Sequence, residues 1–357
     1  RDPSRPCRLR GCGRGGGALR RAPSRCAKMC LAARPVTSIA VEDVGKGARL
    51  FVRTGQQLEE LVGLLEPAAV LAIDTEFMRE RTYFAKLCLV QIASDDVVAA
   101  VDPLEVDDLT PLWDLLLDPS RLKVIHAGDQ DLEIFYRLTG EVPGPVFDTQ
   151  VAAALASFPL QTGYGALVKE LLGVELDKMD SYSDWARRPL SERQVEYALN
   201  DVRHLSEVYR RLEARLVESD RVDWLEEDFA ALADPETYRV VPEEMYRRVK
   251  RRARLGRREL GVLQQLAAWR EREAMRIDVP RNRVANDEAL VQIASRKPET
   301  LEEVRGVRGL GDRTAKRSAG KIVEAVRAGL AMPESELPRV TRRPRTRLDV
   351  DATTDLM

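Results

Sequence analysis

The chain has 357 residues, 44% hydrophobic and 32% charged, enough for two or three ordinary domains with buried cores. No stretch approaches the roughly 18 apolar residues of a membrane-spanning helix, and five cysteines are too few for a disulfide-dense secreted scaffold. The net charge of −1 divides into +8 over residues 1–28, −18 over 29–241 and +9 over 242–357. That asymmetry suggests a metal-using core tethered to a polyanion-binding module, with ordinary variation of surface charge as the alternative.

Residues 1–36 are rich in Arg and Gly, cannot build a core, and read as a disordered extension, with Met29 a plausible true start. The stretch lacks the apolar block of a secretory signal and has too few serines for a transit peptide. Cys7, Cys12, Cys26 and Cys30 fit no close-paired zinc spacing. The ordered chain is expected to begin near residue 37. LEELVGLLE (58–66) has helical period. VLAIDTEF (70–77), KLCLVQIA (86–93) and VVAAVD (97–102) read as strands, LTPLWDLLLD (109–118) as a helix and KVIHA (123–127) as a further strand. DLEIFYRLTG (131–140) is a helix ended by Gly140, and a long helix is expected from about Ser191 to Ser219. The pattern predicts an α/β domain over 37–220, a mixed sheet flanked by helices. Residues 221–250 read as a linker, 251–332 as a small all-α domain and 333–357 as a flexible tail.

Asp74 and Glu76 stand two apart at the end of an apolar strand, so both carboxylates face the same way. Two such anions resist joint ionisation unless a cation lies between them. The competing reading is a strand end frayed into solvent. Asp131 follows a His-Ala-Gly turn in the first turn of its helix, where it is either a cap or a ligand. Tyr197 and Asp201 are four apart and share one helical face. They are either a core edge with a solvated acid, or a phenol and a ligand in one pocket. His126 and His204 are the only histidines; His126 reads as structural, or substrate-facing at most, and His204 as a neighbour of Asp201.

The three pieces together (Asp-Thr-Glu on a strand, Asp after a His-Ala-Gly turn, Tyr-x-x-x-Asp late in a helix) resemble the DEDD superfamily of 3′–5′ exonucleases, in its Tyr-containing branch. AIDTEFMRERTYFAKLCLVQIA, VIHAGDQDLEIFYRLTGEVPGPVFDTQVAAAL and SDWARRPLSERQVEYALNDVRHL make residues 50–215 similar to the ribonuclease D family. Residues 266–304 (LAAWREREAMRIDVPRNRVANDEALVQIASRKPETLEEV) resemble an HRDC domain. The resemblance implies a ribonuclease H-like sheet and a cytoplasmic, monomeric 3′–5′ exoribonuclease. It would mature tRNA precursors and other structured RNA, releasing nucleoside 5′-monophosphates. It also implies that Asp74, Glu76, Asp131 and Asp201 hold two divalent cations, Mg²⁺ or Mn²⁺, as all-oxygen ligands suit hard ions. Tyr197 would orient the attacking water.

Expected substrate contacts are Arg79, Arg81, Tyr83, Phe84, Gln91 and His126, since aromatics stack bases and Arg meets phosphate. Tyr83 and Phe84 could equally begin the next strand's core. Asp148 is expected to cap or brace a helix. RRVKRRARLGRR (247–258), with eight basic residues in twelve, could grip an RNA backbone or be a solvated face. GVRGLG (306–311) fits a phosphate-holding hairpin or a plain helix connection. A non-catalytic nucleic-acid-binding module and an exonuclease acting chiefly on DNA are the alternatives. The acids cannot separate RNA from DNA, because that depends on a contact to the 2′-hydroxyl. A helicase is disfavoured by the lack of a G-x-x-x-x-G-K-[ST] loop.

Overall fold

The computed structural model describes residues 42–43, 48–176, 183–307, 310 and 312–339. The N-terminal extension with its four cysteines, the tail beyond 339, and Arg308, Gly309 and Gly311 of the Gly-rich turn lie outside them. Within the described residues, seven strands form one sheet in the order β1-β2-β5-β4-β3-β6-β7. They are β1 (Glu42–Asp43), β2 (Ala48–Val52), β3 (Val70–Met78), β4 (Lys86–Ala93), β5 (Val97–Val101), β6 (Leu122–Ile125) and β7 (Val146–Asp148). The central strand β3 runs antiparallel to β4 and parallel to β6.

The central strands read as apolar runs because both faces are covered. On one face Leu50, Ile73 and Ile92 meet helices α1 (Gly55–Leu65), α2 (Thr110–Leu117) and α3 (Asp129–Thr139) through Leu58, Leu112 and Phe135. Beyond β7 come α4 (Thr149–Leu155) and α5 (Tyr164–Leu172). On the other face Ala72, Leu89, Ala93 and Ala100 pack under Ala198 and Val202 of α6 (Glu192–Arg203). Trp185 closes that layer, and its segment is anchored by Arg188, whose guanidinium forks onto buried Asp102 at 2.5 and 2.7 Å.

The expected helix from Ser191 to Ser219 is two helices, α6 and α7 (Leu205–Glu218). The hydroxyl of Tyr164 accepts from His204 N–H at 3.2 Å and donates to the Asn200 carbonyl at 3.3 Å. It thereby occupies the place of one helical hydrogen bond, and an inserted side chain of this kind breaks a helix. At its start α6 carries a capping box: Ser191 Oγ accepts from Gln194 N–H and the Gln194 side chain returns to Ser191 N–H. Ser191→Ala is therefore expected to lower stability by about 1 kcal/mol, read as a lower denaturant midpoint with unchanged slope.

The stretch read as a linker is ordered and packed. It contains a 3-10 turn at Val222–Leu225, α8 (Glu226–Ala233), α9 (Pro235–Tyr238) and a 3-10 helix at Pro242–Arg248. Phe229 lies 5.0 Å from Phe147, and Tyr238 lies 6.3 Å from Tyr136, so aromatic contacts fix it to the sheet domain. The helical domain follows as α10 (Arg257–Ile277), α11 (Arg281–Val284), α12 (Asp287–Arg296), α13 (Leu301–Arg305) and α14 (Asp312–Ala331). Helices α10 and α14 meet so closely that a Cβ at Gly329 would stand 2.4 Å from Val262 Cα. The start of the expected tail is also packed, with Leu337 buried.

Candidate active site

Asp74 and Glu76 leave β3 on the face that α6 covers, as their alternation requires. Opposite Glu76 the register with β4 slips, between Glu76 and Phe77. Helix α6 brings Tyr197 and Asp201 over this end of the strand. The third acid arrives by a tight turn. β6 stops at Ile125 and α3 starts at Asp129, earlier than the apolar pattern suggests. Between them, a Cβ at Gly128 would meet Ile125 at 2.6 Å, so the turn admits only glycine there. Asp148 braces the turn by accepting from Ala127 and Gly128 N–H, both at 3.0 Å, while capping α4. Asp131 is thereby delivered beside β3, where Thr75 Oγ1 donates to it.

These groups share one electrostatic environment. Asp74 is held well above the usual carboxylate range, first by burial and then by the charges of Asp131, Asp201 and Glu76. Burial, followed by Asp201 and Asp131, pushes Glu76 up to about 8. Burial also raises Asp201 to about 7 and Asp131 to about 6, while hydrogen bonds from Tyr197 and Thr75 respectively pull them back. Tyr197 itself is raised above the ordinary phenol range, chiefly by burial and then by Asp201 and Glu76. Among the described residues, no Lys or Arg forms an ion pair with any of the four acids. Nor do three His, Cys, Asp or Glu side chains already gather as ligands would, Asp131 being turned onto Thr75. What fits a hard cation is the donor set: clustered carboxylate oxygens whose charge no protein cation offsets.

A cavity of about 60 Å³ lies against Asp74 and Asp201 and is lined also by Ile73, His126, Tyr164 and Leu205. Tyr164, at the start of α5, is not among the candidate residues of the sequence. His126 borders this cavity, with Nδ1 2.9 Å from Thr149 Oγ1. Burial lowers its pKa, which favours the neutral ring.

Of the other expected substrate contacts, only Gln91 stands beside an acid of the site. Tyr83 is 7% exposed, with its hydroxyl bonded to Glu271, so it has no open face for a base. Phe84 carries the Arg137 guanidinium 3.9 Å above its ring. Arg79 is engaged with Glu133 through two hydrogen bonds of 2.8 and 2.6 Å. Gln91 is opposite Asp74 in the ladder and wholly buried, with both side-chain polar atoms unpartnered. Arg81 is exposed and open to a ligand. A cleft of about 600 Å³ lies between α3 and the helical domain; its Arg79, Arg270 and Arg281 are each paired with an acid, and its Arg248 is exposed. The basic run 247–258 is mostly exposed; Arg258 is diverted to cap α14 through the Leu330 and Met332 carbonyls.

Residues 50–217 match the family model of a 3′–5′ exonuclease, and residues 259–326 match that of the HRDC domain. The ribonuclease D of Gluconacetobacter diazotrophicus is 47% identical over 292 residues, covering 81% of this chain and 74% of that one. That of Acidiphilium cryptum is 44% identical over 297 residues, covering 83% and 76%. The crystal structure of Escherichia coli RNase D, described as an exoribonuclease involved in structured RNA processing, matches with a TM-score of 0.75 at 33% identity, covering 86% of this chain and 83% of that one. Among the described residues no helix is long and apolar enough to cross a membrane. With its sheet domain, its acidic site and its C-terminal HRDC domain, the chain belongs to the ribonuclease D family of 3′–5′ exoribonucleases.

Proposed function

We propose that this protein trims the 3′ ends of structured RNA such as tRNA precursors, releasing nucleoside 5′-monophosphates, with Asp74, Glu76, Asp131 and Asp201 holding two divalent cations. The observation that carries this reading is that burial raises all four carboxylates, and that the charges of Asp131 and Asp201 raise Asp74 and Glu76 further. Bound there, a pair of ions would make water acidic enough to attack near neutral pH and would stabilise both the attacking and the leaving oxygen. The water oxygen forms the new bond to phosphorus as the bond to the 3′ oxygen of the preceding nucleotide breaks. That oxygen leaves as the 3′-hydroxyl of the shortened chain.

Tyr197 remains protonated at neutral pH because its pKa is raised. It therefore orients the water as a hydrogen-bonding partner and does not act as a strong base. The Asp148 brace on the Ala127–Gly128 turn fixes the start of α3 and with it Asp131.

The test is a time course on matched RNA and DNA with 3′ overhangs, in Mg²⁺, in Mn²⁺ and in chelator, with wild type beside Tyr197→Phe. Ion-dependent release of 5′-monophosphates from RNA is expected, with kcat reduced roughly 100-fold in Tyr197→Phe. Activity that survives chelation would overturn the reading. RNA retained without products would favour a binding module, and preference for the DNA would reassign the substrate.

A further inference from the structure

The segment 79–85, which continues β3 beyond its acids, is held from both domains. From the sheet domain, Arg79 forks onto Glu133 of α3, two residues along from Asp131. Arg137 of the same helix covers the Phe84 ring and donates to the Ala85 carbonyl at 3.1 Å. From the helical domain, Asp278 at the end of α10 accepts from the N–H groups of Tyr83 and Phe84, at 3.1 and 3.0 Å. The Tyr83 ring is packed within the helical domain's own core. Its hydroxyl donates to Glu271, which has no solvent exposure and whose other oxygen lies 3.4 Å from Arg281 Nε.

A buried carboxylate requires such donors. A domain that only gathered RNA would need no buried hydrogen bond into the loop leaving the catalytic strand. The β3–β4 register slips immediately after Glu76, and two further ladder pairs, at Phe77 and Met78, precede the loop. The position of that strand end relative to α3 therefore depends on side chains as well as on the ladder.

We infer that the helical domain sets the geometry of the acidic site through the Tyr83–Glu271 contact, which makes Tyr83 and Glu271 positioning residues for hydrolysis. The inference rests on the nuclease reading above. If Glu76 and Asp131 drift apart when the contact is lost, the site weakens even for a substrate too short to need the helical domain.

The experiment compares the full chain with Tyr83→Phe, Glu271→Gln and the double variant on a trinucleotide RNA, across a Mg²⁺ titration and with thermal melts. Tyr83→Phe is expected to lower kcat on the trinucleotide roughly tenfold and to leave KM within about twofold. The Mg²⁺ concentration for half-maximal rate should rise several-fold. Glu271→Gln keeps an acceptor for Tyr83 and should be milder. The double variant should fall short of the product of the single effects, because both remove one contact. A merely structural loss would lower the melting point and the active fraction without moving the Mg²⁺ half-point. If Tyr83→Phe does not fold, Asp278→Asn weakens the same loop and takes its place in the comparison. Wild-type values of kcat and Mg²⁺ half-point on the trinucleotide would overturn the inference and leave the nuclease reading standing. An inert wild type would sink both.

Discussion

Asp74→Asn is expected to reduce kcat by at least roughly a thousandfold, about 4 kcal/mol of barrier, while raising the melting point of the metal-free protein. The two effects have one cause. Asp74 stands on β3 with Glu76 on its own face, Asp131 reaching in from α3 and Asp201 from α6. Its charged form is opposed first by burial and then by each of those three neighbours. Asn keeps the shape of the side chain and is neutral in folded and unfolded chain alike, so the cost of holding this position uncharged in the free protein is removed. On the proposed function the same substitution removes a carboxylate oxygen that would hold the cations between strand and helix. An active site that is strained for its task characteristically trades stability against activity in this way. In Mg²⁺ the sign should reverse, because wild type gains binding energy that the variant lacks. Single-turnover rates and melts in chelator and in Mg²⁺ measure all of this. A variant within tenfold of wild type, or one that melts lower in chelator, would show that Asp74 does not sit at the centre of the cluster.

Much of this site can be read from the chain because its logic is local. An apolar run that ends Asp-Thr-Glu places two acids on one face, and β4 coincides with its sequence pattern, KLCLVQIA, because a strand covered on both sides is continuously apolar. The four-residue spacing of Tyr197 and Asp201 needs only a helix. What escaped depends on partners distant in sequence. β7 is three residues long, Val146–Asp148, and its ladder to β6 leaves little periodicity to detect. The break at His204 is imposed by a tyrosine forty positions earlier. Tyr83 looks like a base-stacking residue until its partner, 188 positions away, is seen beneath it. The MRERTYF segment was informative about composition and silent about burial, and burial decided its role.

In chelator, stability should fall steeply as pH rises from about 7 to about 8, and Mg²⁺ should flatten that fall. Glu76, pushed up to about 8, and Asp201, pushed up to about 7, titrate in or near this window. In the unfolded chain both carboxyls ionise near pH 4. Between those values the folded protein binds more protons than the unfolded chain. The stability these groups contribute is therefore complete below the unfolded pKa and is lost as pH climbs through the folded one. Of the groups that act in the opposite sense, the histidines lie below the window and Lys123 enters only its upper part. Burial depresses His126 and His204, so they add stability as pH rises, but that gain is largely complete once unfolded histidine has titrated, near pH 6.5. Burial holds Lys123 at about 8, so it begins to oppose the trend toward pH 8 and does so fully above it, which tempers the fall without reversing it. The loss across the window should be on the order of 1–2 kcal/mol, visible as a falling denaturant midpoint in buffered chelator at a series of pH values. Cations that neutralise the cluster keep the carboxylates charged without repulsion, so the slope in Mg²⁺ should be close to flat. A midpoint that is level or rising in chelator over this range would mean that the acids ionise independently, and the cluster would then have no electrostatic reason to recruit a metal.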